Sequence, residues 1–344
     1  MANMAHVALV KGDDRYGNIA RALELIADRI DVRDKKRILI KPNFVATDNA
    51  LATTHIDAVR AVLDFLRSRS DALITIGEGA ALGDTFDAYR RLGYMDLARD
   101  YNVPLVDLNR GEWVMAPVYN SSFKDMSLRL SKIVVESDLR ISVGPPKTHD
   151  TVIVTLSLKN MVMGSLIRDQ REGGGSGPVM NLAKRAARLV PSQVKNANPI
   201  VPLRTRVVGG IAGSDKMAMH MGYSLINLNL YRLAAYVYPH LAVIDGFVGM
   251  EGAGPTRGEP ADLRCAVASS DFLAADTVTA ALMGFAVDDV GYLHYCKLKG
   301  LGVGDLEQIV ALGNTVAECR RPFRPPPGVA AQRKWTIANV ERYL

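Results

Sequence analysis

The sequence has few cysteines and no long apolar run, and both absences limit what the chain can be. Its three cysteines (Cys265, Cys296 and Cys319) are scattered, so they predict neither a disulfide framework nor a CxxC pair. No stretch approaches the roughly 18 uninterrupted apolar residues that a membrane-spanning helix needs. The opening segment MANMAHVALVKGDD lacks the basic head and apolar run of a secretory signal. We therefore expect a cytoplasmic protein with no membrane partner.

Motifs for several well-defined chemistries are also missing. The sequence has no HExxH zinc motif, GxSxG nucleophile elbow or EF-hand loop. The glycine-rich segment 249–260 lacks the lysine and hydroxyl of a P-loop, and GEGAALGDT (77–85) has the wrong spacing for a dinucleotide-binding turn. The sequence therefore identifies no cofactor. A metal held by His55, His149 or the acids Glu78, Glu251 and Asp276 stays open, although the six histidines show no ligand-like spacing.

Positive charge is concentrated in one stretch of the chain. The formal net charge is +6, and segment 161–208 holds eight basic and two acidic residues, so the rest of the chain is balanced. Such a stretch is typical of a lid or patch for an anionic ligand, of a nucleic-acid surface, or of a solvated helix face. Aromatic residues do not interleave with the basic ones. A nucleic-acid-binding role therefore ranks last.

Strand-like and helix-like runs alternate along most of the chain. Apolar, β-branched runs predict strands at 6–11, 37–44, 72–79, 103–109, 138–146, 240–249 and 263–270. Amphipathic runs predict helices at 17–30, 55–69, 85–101, 151–163, 179–190, 226–239 and 271–284. This alternation indicates the α/β fold class, with mainly parallel sheets flanked by helices and two lobes around a cleft.

Composition divides the chain into four predicted parts. Residues 1–150 form an N-terminal α/β lobe, and residues 151–225 form a helical, basic insert with a glycine-rich loop at 171–178. Residues 226–318 form a C-terminal α/β lobe that packs on the first. The proline-rich residues 319–344 are either an extended strap or a disordered end. The insert is a candidate lid, although a plain surface loop is the commoner outcome.

Chemically active side chains follow the predicted strands at their carboxyl ends. Strand 37–44 carries KPN, strand 72–79 ends in GEG, strand 138–146 runs into KTHD, and strand 240–249 contains Asp245. In a parallel sheet these ends meet at one edge, where open α/β folds bind ligands. The catalytic candidates are His149, Lys147, Lys159 and Glu78. The substrate-binding candidates are Lys41, Asn43, His55, Thr148, Asn160, Asp245, Glu251, Gly252 and Gly254.

Two of these candidates have an ordinary structural alternative. Lys41 either lies buried with a partner or points from the strand end into solvent. His55 either contacts a ligand or forms part of a helix N-cap with Thr54. For His149, a nearby ammonium group would lower the imidazole pKa and favour the neutral ring.

The motifs ILIKPNFV, ITIGEGA, SVGPPKTHD, SLKNMVMG and VIDGFVGMEGAGP occur in this order. Together they resemble the family called domain of unknown function 362, over about 38–313. Many members of that family carry a cysteine-rich, ferredoxin-like part for iron–sulfur centres, which this chain lacks. The layout around RRLGY (90–94) is also similar to the lactate racemase group, in which a nickel cofactor and histidines act on a 2-hydroxy acid. That second resemblance implies a two-lobed architecture with a cleft, without the nickel cofactor.

Three functional hypotheses follow from the residues and the resemblance. The first is an enzyme that acts on a small carboxylate- or phosphate-bearing substrate by acid/base chemistry, such as isomerisation or elimination. The second is an accessory protein with a redox or metal cofactor, as the iron–sulfur relatives imply. The third is a nucleic-acid binder that uses segment 161–208. The sequence leaves open whether the chain forms a homo-oligomer.

Overall fold

The computed structural model describes residues 4–169 and 214–344. Its strands are β1 (Ala5–Lys11), β2 (Arg37–Lys41), β3 (Leu73–Glu78), β4 (Leu105–Asp107), β5 (Trp113–Tyr119), β6 (Asp125–Ser131), β7 (Leu139–Gly144), β8 (Lys147–His149), β9 (Ile153–Thr155), β10 (Leu241–Glu251), β11 (Glu259–Ser269) and β12 (Ile309–Gly313). Its α-helices are α1 (Arg15–Leu25), α2 (Ile56–Arg67), α3 (Thr85–Arg91), α4 (Tyr94–Tyr101), α5 (Lys132–Val135), α6 (Ser157–Ser165), α7 (Asp215–Ala218), α8 (Tyr223–Val237), α9 (Phe272–Leu282), α10 (Gly291–Leu298), α11 (Val316–Cys319) and α12 (Val329–Gln332).

One mixed sheet organises these elements, in the order β12-β1-β11-β10-β7-β2-β3-β4. The block β10-β7-β2-β3-β4 is parallel throughout, whereas β11 runs antiparallel to both of its neighbours. The predicted α/β class, with a mostly parallel sheet and flanking helices, is confirmed. The carboxyl ends of β2, β3, β7 and β10 therefore lie along one edge of the sheet.

Helices cover both faces of the sheet because its strands alternate their apolar side chains. In β2, Ile38 and Ile40 join a core with helices α1, α2 and α4, while Leu39 faces the opposite core with α6, α8 and α9. A strand buried on both faces reads as a continuous apolar run, which is why β2, β3 and β7 are recognisable in the sequence.

Strands from both predicted lobes contribute to this one sheet. Strands β1, β2, β3, β4 and β7 come from residues 1–150, and β10, β11 and β12 come from residues 226–318. A hairpin of β5 and β6 stands apart as a two-stranded sheet. Its Tyr119 exchanges two 2.8 Å hydrogen bonds with Asn229 of α8, so the hairpin is tied to the second predicted lobe as well.

Two local predictions were wrong, and one strand was missed. The predicted helix 151–163 begins only at Ser157, because β8 and β9 form a tight antiparallel pair before it. The predicted helix 85–101 is two helices, since Gly93 adopts a φ of 80° between α3 and α4. The strand 309–313 was not predicted, although it pairs with β1 in parallel.

The proline-rich tail lies against the fold as a strap. The backbone N–H groups of Arg321 and Phe323 donate to Leu282 and Met283 at 3.0 and 2.9 Å, and Trp335 is buried. The predicted loop 171–178, helix 179–190 and most of the basic segment lie outside the described residues. Among the described helices, none is both long and apolar enough to cross a membrane.

Candidate functional site

A fully buried lysine stands at the carboxyl end of β2. The Lys41 Nζ donates to Glu78 Oε2 at 2.7 Å, to Asn160 Oδ1 at 2.8 Å and to the Pro42 carbonyl at 2.9 Å. These contacts use all three donors of the ammonium group. Burial lowers the pKa of Lys41, and the Glu78 carboxylate opposes this effect. Lys41 is therefore the buried, partnered alternative, and its main effect is to fix Glu78 and Asn160.

A second lysine, on β8, joins the same network through an amide. Asn43 donates from Nδ2 to Asn160 Oδ1 at 2.7 Å and accepts a hydrogen bond from Lys147 Nζ at Oδ1. Lys147 also donates to the Ala52 carbonyl at 3.0 Å. Burial, together with the neighbouring Lys159 ammonium, lowers the pKa of Lys147 to about 7. This lysine is thus close to giving up its proton at neutral pH.

Lys159 differs from these two lysines in having no hydrogen-bond partner within the described residues. It lies in the first turn of α6, and only 5% of it is exposed. Burial lowers the pKa of Lys159 to about 8, against the raising effect of the Asp150 carboxylate. A buried amine without an acceptor is costly for a fold, so it marks a place where a ligand can interact.

His149 sits beside these lysines as a neutral ring. Its Nδ1 accepts a hydrogen bond from the Thr151 backbone N–H at 3.0 Å, so the ring proton is on Nε2. Burial lowers the pKa of His149 well below its usual value, as do the charges of Lys159 and His220. Asp150 Oδ1 lies 3.3 Å from Nδ1, but a neutral ring forms no ion pair with it. His149 therefore offers an N–H donor at Nε2, not a base.

Helix α6, which carries Lys159 and Asn160, is held at its N-terminus by a buried carboxylate. Asp276 accepts hydrogen bonds from the backbone N–H groups of Ser157 and Leu158 at 2.9 and 3.1 Å. Burial raises the pKa of Asp276 to about 7, and these hydrogen bonds oppose the rise. Asp276, considered above as a metal ligand, instead caps this helix.

A fourth buried lysine holds the other end of the same helix. Lys216 donates to the carbonyls of Met163 at 2.9 Å, Gly164 at 3.2 Å and Leu166. An ammonium at a helix C-terminus is favoured by the helix dipole. Burial lowers the pKa of Lys216 to about 7. Sequence analysis missed Lys216 and His220; the available signal is their i, i+4 spacing.

Glycines allow the network to close. A Cβ on Gly164 would collide with the Lys41 side chain, and a Cβ on Gly79 would lie 2.6 Å from the Gly164 carbonyl oxygen. A Cβ on Gly254 would likewise collide with the Thr148 carbonyl. These three glycines are therefore needed for close approach of backbone and side chains.

The glycine-rich loop after β10 packs against β8, the strand that carries Lys147 and His149. Met250 pairs with Lys147 in parallel, and Thr148 Oγ1 donates to the Gly252 carbonyl at 3.0 Å. Glu251 points to the strap, where it accepts from Arg321 Nη1 at 2.9 Å and from the Arg324 N–H at 3.1 Å. Thr148, Gly252 and Gly254 thus support the site, whereas Glu251 is occupied elsewhere.

Two further candidates form a separate group at the same edge. Asp245 accepts a 3.2 Å hydrogen bond from Arg15 Nε. Arg15 was not among the candidates identified from the sequence. His55 has 47% of its side chain exposed and caps α2 by accepting from the Asp57 N–H at 3.3 Å. Burial lowers the pKa of His55 and raises that of Asp245. No hydrogen bond found within the described residues joins this pair to Lys147, His149 or Lys159.

The described part of the chain shows no candidate metal cluster, and one surface depression lies away from the candidate residues. In residues 4–169 and 214–344, no group of three or more His, Cys, Asp or Glu side chains is arranged to hold a metal ion. A depression of about 670 Å³ lies at the opposite edge of the sheet, lined by residues 32–36 and 67–73. None of the candidate residues lines it.

The fold and the buried lysines define an α/β protein with a cationic, polar cluster at the carboxyl edge of its sheet. The chain belongs to the family described as domain of unknown function (DUF362), whose model matches residues 38–189 and 204–281. This confirms the resemblance identified from the sequence motifs.

Two known proteins are similar to this chain. The thylakoid-associated protein sll1697 of Synechocystis sp. is 23% identical over 311 residues, which cover 90% of this chain and 78% of that protein. The lactate racemase apoprotein of Thermoanaerobacterium thermosaccharolyticum is 13% identical, with a TM-score of 0.45. That match covers 79% of this chain, which spans only 55% of the racemase chain. The structural likeness is too weak to carry any argument about activity.

Proposed function

We propose that this protein is an enzyme that binds a small carboxylate- or phosphate-bearing molecule at the buried lysine cluster and acts on it by acid/base chemistry. The observation that carries the proposal is the charge imbalance of the cluster. Lys41, Lys147, Lys159 and Lys216 are all buried. Of these four lysines, only Lys41 is bonded to a carboxylate of the described residues.

The imbalance favours an anionic ligand for a simple physical reason. Burying an ammonium group without a counter-charge is unfavourable, which is why the pKa values of Lys147 and Lys159 fall to about 7 and about 8. An anion placed between them would restore the charged forms and complete their hydrogen bonds. Isomerisation or elimination next to a carbonyl suits such a site, because both create negative charge on oxygen.

The geometry supports a division of work among the residues. Lys147 and Lys159 attract the anionic group of the ligand. The His149 Nε2–H donates a hydrogen bond to an oxygen on which negative charge develops, as a neutral imidazole can. Lys147 and Lys159 both gain or lose a proton near neutral pH. Lys41, Glu78, Asn43 and Asn160 hold these groups in place.

Calorimetric titration with phosphate, oxalate and malonate tests the anion site. We expect binding at pH 6.5 that weakens roughly tenfold to a hundredfold in K147M and K159M, because each variant loses one charge-assisted hydrogen bond. Lys299 is exposed, so K299M is the matched control and should bind as the wild type does.

The same titrations should depend on pH in one direction. A bound anion stabilises the ammonium form of Lys147, whose pKa falls from 10.5 to about 7 in the free protein. The complex then holds more protons than the free protein, so affinity should fall as the pH rises from 7 to 9. Absence of binding at pH 6.5, or affinity unchanged in both variants, would refute the proposal.

A further inference from the structure

We propose that Lys159 is a covalent nucleophile that forms an imine with an aldehyde or ketone group of the ligand. The substrate class is thereby a small anionic carbonyl compound, such as a 2-oxo acid. This inference rests on the proposed function, since it places the carbonyl group of the bound anion beside Lys159.

The partners of the four buried lysines single out Lys159. Lys41 and Lys216 each donate to three oxygen acceptors, and Lys147 donates to two. These hydrogen bonds hold the three amines against protein acceptors, so their nitrogens are not free to reach a carbonyl group of a ligand. Lys159 has no acceptor within the described residues, so no hydrogen bond there keeps its nitrogen from a ligand.

The neighbours of Lys159 suit this chemistry. The Lys147 amine lies close enough to interact electrostatically with that of Lys159. Burial is what lowers the pKa of Lys159, and desolvation is a known way to activate a lysine. The pKa of about 8, lowered by burial, gives a much larger neutral fraction at pH 7.5 than an exposed lysine has. The His149 Nε2–H can donate to the carbonyl oxygen and polarise it.

The reaction balances without an external oxidant or reductant. The neutral Lys159 nitrogen adds to the carbonyl carbon, which forms the C–N bond and moves the π electrons to oxygen. Both hydrogens of the amine then leave with that oxygen as water, by proton transfer through solvent, and a C=N bond remains. Hydrolysis reverses the step and frees the amine for another turnover.

Reductive trapping of the full-length protein tests the inference. Glyoxylate is the anionic aldehyde probe, acetaldehyde the uncharged one, and sodium cyanoborohydride reduces any imine. We expect glyoxylate to add one carboxymethyl group, located on Lys159 by peptide mass mapping. Its labelling should be roughly tenfold or more faster than that of exposed Lys299, because more of the amine is neutral. Oxalate, which forms no imine, should protect Lys159.

Two variants test whether the adduct requires Lys159, and the imine and the anion site fail by different results. K159R keeps the charge and should lose the adduct, whereas K299M should keep it; if K159R does not fold, mapping of the wild type still decides. Oxalate binding without an adduct at Lys159 overturns the imine and leaves the anion site standing. Equal labelling by both aldehydes, with no oxalate protection, overturns the anion site and with it the anionic substrate class.

Discussion

At the scale of single residues, the buried lysines are the costly part of this molecule. Each unit by which a pKa is lowered corresponds to about 1.4 kcal/mol between the protonation states. Lys159 has no hydrogen bond within the described residues to offset its burial. A residue that weakens the fold in this way is expected where function requires it.

Replacing Lys159 by methionine should therefore stabilise the protein. At pH 6 the buried ammonium costs about 3 kcal/mol, given a pKa of about 8 in the folded protein and 10.5 in the unfolded chain. The unfolded chain binds the extra proton between these values, so the wild type gains stability as the pH rises through them. Urea unfolding should show K159M more stable than the wild type at pH 6, and by a smaller margin at pH 9. A destabilised K159M, with K299M unchanged, would contradict this explanation.

Many of the site residues could be predicted because strand ends and motif spacing reveal them. Lys41, Glu78, Lys147 and Asn160 all meet at the predicted edge of the sheet. The sequence could not reveal the tautomer of His149, which depends on one backbone N–H of the following turn. Nor could it assign Glu251 to Arg321, because that contact joins residues 70 positions apart.

At the scale of elements, helix α6 presents the site and is fixed at both ends. Asp276 accepts from its first N–H groups and Lys216 donates to its last carbonyls. A negative group at a helix N-terminus and a positive group at its C-terminus both interact favourably with the helix dipole. The position of Lys159 thus depends on two residues that touch no proposed ligand.

Removing the Asp276 carboxylate should weaken both the fold and the site. D276A leaves two buried N–H groups without acceptors, so we expect a loss of about 2–4 kcal/mol in the free energy of unfolding. Anion affinity should fall as well, because α6 is no longer fixed. Asp84 caps α3 in the same manner at an exposed position. D84A is therefore the control, with a loss of about 1 kcal/mol and unchanged affinity in calorimetry. Equal affinity in D276A and wild type would show that the cap does not position α6.

Prediction at this scale succeeded where local pattern decides the structure. Long apolar runs correctly predicted β2, β3 and β7, and amphipathic spacing correctly predicted α2 and α9. The short strands β8 and β9 were missed because pairing with β10 and with each other, not local propensity, makes them strands. The hairpin turn after Tyr119 depends on the Asn120 side chain, which accepts from two backbone N–H groups.

At the scale of the whole molecule, the sheet interleaves the two ends of the chain. Strand β1 lies between β11 and β12, and β10 lies next to β7. The division into lobes at 1–150 and 226–318 stays a prediction. The sequence could not reveal this pairing, because strand order is decided by contacts between residues far apart in the chain.

A shared sheet predicts one cooperative unfolding transition for both lobes. The two tryptophans allow a test, since Trp113 lies on the hairpin and Trp335 on the strap. In W113F and in W335F, the fluorescence of the remaining tryptophan and the far-UV circular dichroism should share one midpoint during urea unfolding. Two separate steps, each followed by a different tryptophan, would instead indicate independent lobes.

The position of β1 also sets a delay during synthesis. Ser269 Oγ of β11 donates to the His6 carbonyl of β1, 263 residues earlier in the chain. At bacterial or eukaryotic elongation rates, roughly tens of seconds pass before those partners leave the ribosome. Over that time the nascent chain exposes an unfinished strand edge that can pair wrongly. Its yield in the cell should thus depend on chaperones that bind emerging polypeptides.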